Sequence, residues 1–110
     1  MGLTKSEIFS QEQNNIAKIA KVLGHPARIA ILEYLSKVNT CICGDLVNEI
    51  GLAQPTISQH LKELKNIGIL KGNIEGTSIC YCLDTEKWSE ITITLHKFLN
   101  IFSKSEQNCC

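Results

Sequence analysis

The chain has 110 residues, 44% of them hydrophobic, and its 11 basic and 11 acidic side chains cancel to a formal net charge of zero. That length holds one domain, residues 1–110, with a compact but small core. The balanced charge argues against a polycation that coats nucleic acid unspecifically, and no apolar run approaches the roughly 18 residues that a membrane span needs.

Residues 1–9 read as a flexible tail without the hydrophobic run of a secretory signal, so a reducing, cytoplasmic compartment is expected. Ser10 suits the cap of a first helix, with Gln13 as its capping-box partner. Ile16, Ile19, Ala20 and Leu23 supply that helix with an apolar face, and Gly24 and His25 end it. Pro26 opens a second helix, in which Ile29, Ala30, Leu32, Tyr34 and Leu35 are expected to be mostly buried. Residues 40–43 are too few for a helix and read as an extended lead-in or short strand. A short helix restarts at Gly44 and Asp45, with Leu46, Val47 and Ile50 inward, and Gly51 and Leu52 turn the chain into the next helix.

That next helix is the element the chain is organised around. Pro55 fits a first helical position, where its missing N–H costs nothing, and Gly68 fits a C-terminal stop. Ile57, Leu61 and Leu64 make one apolar stripe, from which Gln59 points almost directly away. Two helices joined by a short Gly-containing turn form a helix-turn-helix, whose outer face reads bases and grips phosphates. The DNA-contacting set is therefore Gln54, Thr56, Ser58, Gln59, His60, Lys62 and Lys65, with Gln59 as base reader and the lysines mainly on phosphates.

After Gly68 the period changes to alternation. Residues 69–74 and 78–83 read as two strands of a hairpin turned by Glu75, Gly76 and Thr77, which forms a wing behind the reading helix. Asp84 caps a last helix in which Trp88, Ile91, Leu95, Phe98 and Phe102 form an apolar seam, and residues 103–110 are a second flexible tail. The seam is too apolar to stay bare, and a symmetric partner is its expected cover. The expected fold is thus mainly α with a small β-hairpin, a homodimeric winged helix-turn-helix.

Three segments carry a resemblance to the ArsR/SmtB family of arsenic- and metal-responsive repressors. They are Val22-Leu23-Gly24-His25-Pro26-Ala27-Arg28-Ile29-Ala30-Ile31-Leu32, then Cys41-Ile42-Cys43-Gly44-Asp45-Leu46, then Gln54-Pro55-Thr56-Ile57-Ser58-Gln59-His60-Leu61-Lys62-Glu63-Leu64 running into Gly68-Ile69-Leu70. The likeness extends over roughly residues 12 to 100. It implies a dimer that sits on an inverted-repeat operator in double-stranded DNA and leaves it when an inducer binds. It assigns no catalysis, no obligatory cofactor and no membrane partner. The His25-Pro26-Ala27-Arg28 segment reads as structural, a helix start with a buried polar tie by Arg28.

The six cysteines come as three close pairs, Cys41/Cys43, Cys80/Cys82 and Cys109/Cys110. In a reducing compartment such thiols bind soft metals or sense redox state more often than they form structural bridges. Members of the resembled family sense trivalent arsenic or antimony through cysteines at the start of the helix before the reading helix, where Cys41 and Cys43 fall. The usual Cys-x-Cys-x-x-Cys pattern is broken here, because position 46 is Leu. Other members carry a vicinal pair near the C-terminus, which Cys109 and Cys110 resemble. The expected metalloid ligands are Cys41, Cys43, Cys109 and Cys110, with trivalent arsenic, antimony or an organoarsenical as inducer. A thiol-redox or sulfide-responsive repressor and a cadmium- or lead-responsive one are the alternatives. Zinc on the last helix is not expected, since His96 is the one histidine there. Alternation with Tyr81 and Leu83 explains the strand that carries Cys80 and Cys82, which favours a packing role for them, and their role is otherwise left open.

Overall fold

The structure, a computed structural model, describes residues 5–102 except 45, 77 and 78. In chain order the elements are α1 (Lys5–Ile8), α2 (Gln11–Leu23), α3 (Pro26–Val38), β1 (Ile42–Cys43), α4 (Val47–Ile50), α5 (Gln54–Asn66), β2 (Leu70–Asn73), β3 (Cys80–Leu83) and α6 (Thr85–Leu99). A mainly helical chain with a small antiparallel hairpin behind α5 is the winged helix-turn-helix expected from the sequence.

The local signals act as their chemistry dictates. Ser10 Oγ accepts from the Gln13 N–H while Gln13 Oε1 accepts from the Ser10 N–H, closing the capping box of α2. His25 Nδ1 accepts from the Ala27 N–H at 3.1 Å and caps α3. The Asp84 carboxylate accepts from the Lys87 N–H at 3.1 Å and caps α6. Gly51, at φ +84°, ends α4 in the left-handed region that glycine enters without strain, and the chain turns there into α5.

The core gathers Ile19 and Val22 of α2, Ile31 and Leu35 of α3, Leu46, the α5 stripe Ile57, Leu61 and Leu64, then Ile69, Leu70, Ile74, Tyr81 and Ile91. Four expectations are corrected. Residues 5–8, placed in a tail by the sequence reading, form the helical turn α1. Ile29 is 43% exposed, because the buried positions of α3 are Ala27, Ile31 and Leu35, spaced four apart, and Ile29 lies two residues off that stripe. Ala20 is likewise exposed, with Val22 buried in its place. The α4 helix starts at Val47 rather than at Gly44.

A fifth correction matters most for function. The wing is a three-stranded antiparallel sheet of order β1-β3-β2, not a two-stranded hairpin. The short strand before the helix-turn-helix pairs with the second wing strand, Ile42 opposite Tyr81 and Cys43 opposite Cys80. On the other side of β3, Leu70 faces Leu83 and Gly72 faces Tyr81. Gly72 lies at φ +111°, and a Cβ there would stand 2.9 Å from Tyr81 Cα and meet the Cys80 carbonyl oxygen, so only glycine lets the two strands approach this closely.

Candidate nucleic-acid interface and thiol site

Helix α5 buries Ile57, His60, Leu61 and Leu64 and leaves Thr56, Gln59, Lys62 and Lys65 exposed. Its first turn carries no acidic residue and its last turn carries Lys65, so no carboxylate opposes a phosphate at the positive end of the helix dipole. Gln59 Nε2 donates to Glu63 Oε1 at 3.2 Å, one turn further along the exposed side. Gln54 is half-buried and donates through Nε2 to Ser58 Oγ at 3.1 Å, which makes these two a pair on the flank of the helix. Lys65 Nζ donates to the Gly72 carbonyl at 2.6 Å and so joins the end of α5 to the wing.

His60 does not belong to the outer face. It is 7% exposed, and its Nδ1 accepts from Arg28 Nε at 3.1 Å. Arg28 Nη1 also donates to the Val22 carbonyl at 3.1 Å, which makes the polar tie that the sequence reading assigned to Arg28. The His25 ring centroid lies 4.3 Å from that of His60. Position 60 falls about 60° from position 57 around a helix, next to the apolar stripe, and tertiary packing draws it under. Burial, then the charges of His25 and Arg28, hold the His60 imidazole below its ordinary pKa against the pull of Glu63. The neutral ring accepts at Nδ1, so its proton sits on Nε2.

The cysteines meet across the sheet. Cys43 and Cys80 face each other with Cα atoms 4.1 Å apart and are joined by a disulfide. Two residues away, just before β1, Cys41 lies beside Cys82. Hydrogen bonding by Cys41, then burial and the Cys41 charge, push the Cys82 thiol above its ordinary pKa; Asp84 adds to this and Lys71 opposes it. Cys41, Cys43 and Cys80 are exposed and Cys82 is half-buried, so Cys80 does not take the packing role favoured for it. Cys41, Lys71 and Cys82 line an open groove of about 390 Å³ with Leu35 and Asn39.

Cys109 and Cys110 lie outside the described residues, and the third thiolate placed on them is not located by the fold. With Cys43 and Cys80 bridged, no group of three or more His, Cys, Asp or Glu side chains among the described residues is placed to share a metal ion. Two Cys-x-Cys strands were visible in the sequence, and alternation put each pair on one face. Their mutual pairing was not, because the whole helix-turn-helix intervenes. Among the described residues no helix is long and apolar enough to cross a membrane.

A family profile described as bacterial regulatory protein, arsR family, matches residues 25–71, from the cap of α3 to the start of the wing. An uncharacterized HTH-type transcriptional regulator of Methanocaldococcus jannaschii is 37% identical over 82 residues, 74% of this chain and 91% of that protein. A homolog of the cadmium resistance transcriptional regulatory protein CadC from Staphylococcus aureus is 37% identical over 83 residues, 74% of this chain and 68% of its own. The arsenical resistance operon repressor of Staphylococcus xylosus is 33% identical over 94 residues, 86% of each chain.

Proposed function

The chain belongs to the arsR family of bacterial regulatory proteins, which are regulators of transcription and not enzymes, and from that premise we propose that it is a homodimeric repressor released from its operator by a thiophilic inducer. The outer face of α5 carries this reading. Thr56, Gln59 and Lys62 stand clear of the core on one helix of a helix-turn-helix, with amide, hydroxyl and ammonium groups suited to base edges and phosphates. Gln54 and Ser58 contact from the flank and Lys65 from the wing side. His60 orients the helix through Arg28 and touches no DNA.

Two copies set their α5 helices about one DNA turn, some 34–36 Å, apart on an inverted repeat. The test is operator binding by Gln59→Ala and Lys62→Ala. Gln59→Ala loses about 1–3 kcal/mol of discrimination between operator and altered sites. Lys62→Ala weakens all sequences alike and lowers the salt dependence. Unchanged affinity and selectivity in Gln59→Ala would overturn the assignment of α5.

The inducer class is a soft metalloid or metal, because thiolates select such ions over imidazole or carboxylate. Trivalent arsenic or antimony on Cys41 and Cys43, with a further thiolate from elsewhere in the chain, is the first choice, supported by the likeness to the arsenical repressor. Cadmium stands next, on the likeness to the cadmium regulator. A redox-responsive reading is favoured by one observation, the Cys43–Cys80 disulfide. Arsenite added to the DNA complex under anaerobic reducing conditions separates them: release supports the metalloid, and release by oxidant alone supports the redox reading.

A further inference from the structure

Four of the six cysteines lie along two paired strands, three within β1 and β3 and Cys41 just before β1, a juxtaposition that the sequence does not announce. The register places Cys43 opposite Cys80 and Ile42 opposite Tyr81, and carried one residue beyond β1 it sets Cys41 against Cys82. The Gly44 N–H donates to the Ile79 carbonyl at 2.9 Å, so the hydrogen-bonded rungs are 44/79 and 42/81. Both cysteine rungs are then of the non-hydrogen-bonded kind, in which opposed side chains stand nearest. Along each strand the two cysteines are about 6.6 Å apart, within reach of one central atom when their side chains turn inward. A disulfide joins one of these rungs, and Cys41 and Cys82 line one groove beside it.

We propose that Cys41, Cys43, Cys80 and Cys82 form a single cross-strand site for a soft cation or trivalent metalloid, with half its donors on the wing, and that the Cys43–Cys80 disulfide closes it. The proposal deepens the inducer reading above and rests on it for its biological meaning. It replaces the tail cysteines with the wing strand as the source of the further thiolates. Lys71, across from Cys82 in β2 and on the same groove, sets a positive charge beside the thiolates.

The chemistry balances. Two equivalents of a low-molecular-weight thiol open the disulfide, giving two protein thiols and the disulfide of the small thiol. Three protein thiols then displace three waters from arsenous acid, or each coordinating thiol releases one proton to solvent as it binds cadmium. Filling the site ties β1, which leads into the helix-turn-helix, to β3 of the wing. Both DNA-facing elements thereby answer to one ligand.

The test uses the full chain, reduced and then freed of reductant without air, titrated separately with cadmium ion and with arsenite. Thiolate-to-metal absorption and the mass of the intact complex report binding. Losing even a group that only orients a ligand weakens metal sites about 10–100-fold, so Cys80→Ser/Cys82→Ser, which loses two donors, weakens binding by more. Cys109→Ser/Cys110→Ser binds as the parent does. The oxidised parent behaves like the wing variant until a thiol is added. Should the wing variant fold poorly, alkylation of the loaded parent gives the same answer: Cys41, Cys43, Cys80 and Cys82 are protected and the tail pair is modified. Wild-type binding by the wing variant overturns the proposal, as does loss of binding confined to the tail variant or protection of the tail pair. Saturation with cadmium but not arsenite, or the reverse, supports the site and names its ligand. Operator release is measured on the same preparations. Binding without release supports the four-cysteine site and sinks the inducer reading alone.

Discussion

Breaking the Cys43–Cys80 bridge should cost the isolated protein a large part of its stability. The two residues are 37 apart in sequence, and the loop they close contains α4, α5 and β2. In the chain-entropy account, closing a loop of that length removes enough freedom from the unfolded chain to stabilise the fold by about 4 kcal/mol. A domain of this size has about 5–15 kcal/mol in all. Cys43→Ser/Cys80→Ser, compared with the oxidised parent at one fixed protein concentration, should unfold at clearly lower urea. Its melting temperature should fall by about 15 °C or more, at about 4–8 °C per kcal/mol for a small domain. The dependence on urea should steepen, because an uncrosslinked chain exposes more surface when it unfolds. Reductant should bring the parent to the level of the variant and leave the variant unmoved. Equal midpoints for oxidised parent and variant would refute the reasoning, and so would a parent indifferent to reductant.

Three further outcomes follow from named contacts. The lowered pKa of His60 means that the unfolded chain takes its proton first, so stability is full above the ordinary imidazole value of 6.5 and declines as pH falls toward the lower folded value. His60→Asn keeps an acceptor for Arg28 without the ionisation, and melting curves at about pH 7 and about pH 5 should differ less in it than in the parent. Gly72→Ala forces a side chain into the Cys80 and Tyr81 backbone at positive φ and should cost at least about 1–3 kcal/mol, read by urea unfolding; a neutral outcome would refute the close approach of β2 to β3. Ile101, 61% exposed beside an apolar groove lined by Ile16, Ala20 and Phe98, belongs to the proposed dimer face. Ile101→Asp should sediment as a monomer and lose operator binding, whereas a parent that is monomeric at micromolar concentration yet binds tightly would remove the dimer.

Elements set by local chemistry were legible in the chain itself. The capping box at Ser10, Pro55 at the start of α5, the Ile57/Leu61/Leu64 stripe and the Asp84 cap each involve residues within one or two turns. What was hidden depended on partners far along the chain. His60 looked like an outer residue because Arg28, 32 positions earlier, is what draws it inward. Cys80 and Cys82 looked like strand fillers because the sequence shows alternation but not which neighbour a strand takes. A two-residue strand such as β1 carries too little pattern of its own to announce that it pairs with β3.

The burial of His60 also bears on how much sequence one subunit can read. With His60 under Arg28, the exposed side chains at the centre of the outer face of α5 are Thr56, Gln59 and Lys62, with Gln54 and Ser58 on the flank and Lys65 beside the wing. A good bidentate base contact is worth about 1–3 kcal/mol of discrimination, and Gln59 is the residue proposed to make one, with Lys62 on phosphate. A specific regulator must exceed its own unspecific binding by about 4–10 kcal/mol. One copy falls short of that range and two copies on a symmetric site enter it. The zero net charge points the same way, since no excess of cations is present to hold a single copy on DNA irrespective of sequence. In the proposed dimer, any ligand that spoils the spacing between two α5 helices therefore removes most of the discrimination without touching a single base contact, and the proposed site tying β1 to the wing lies where such a change would begin.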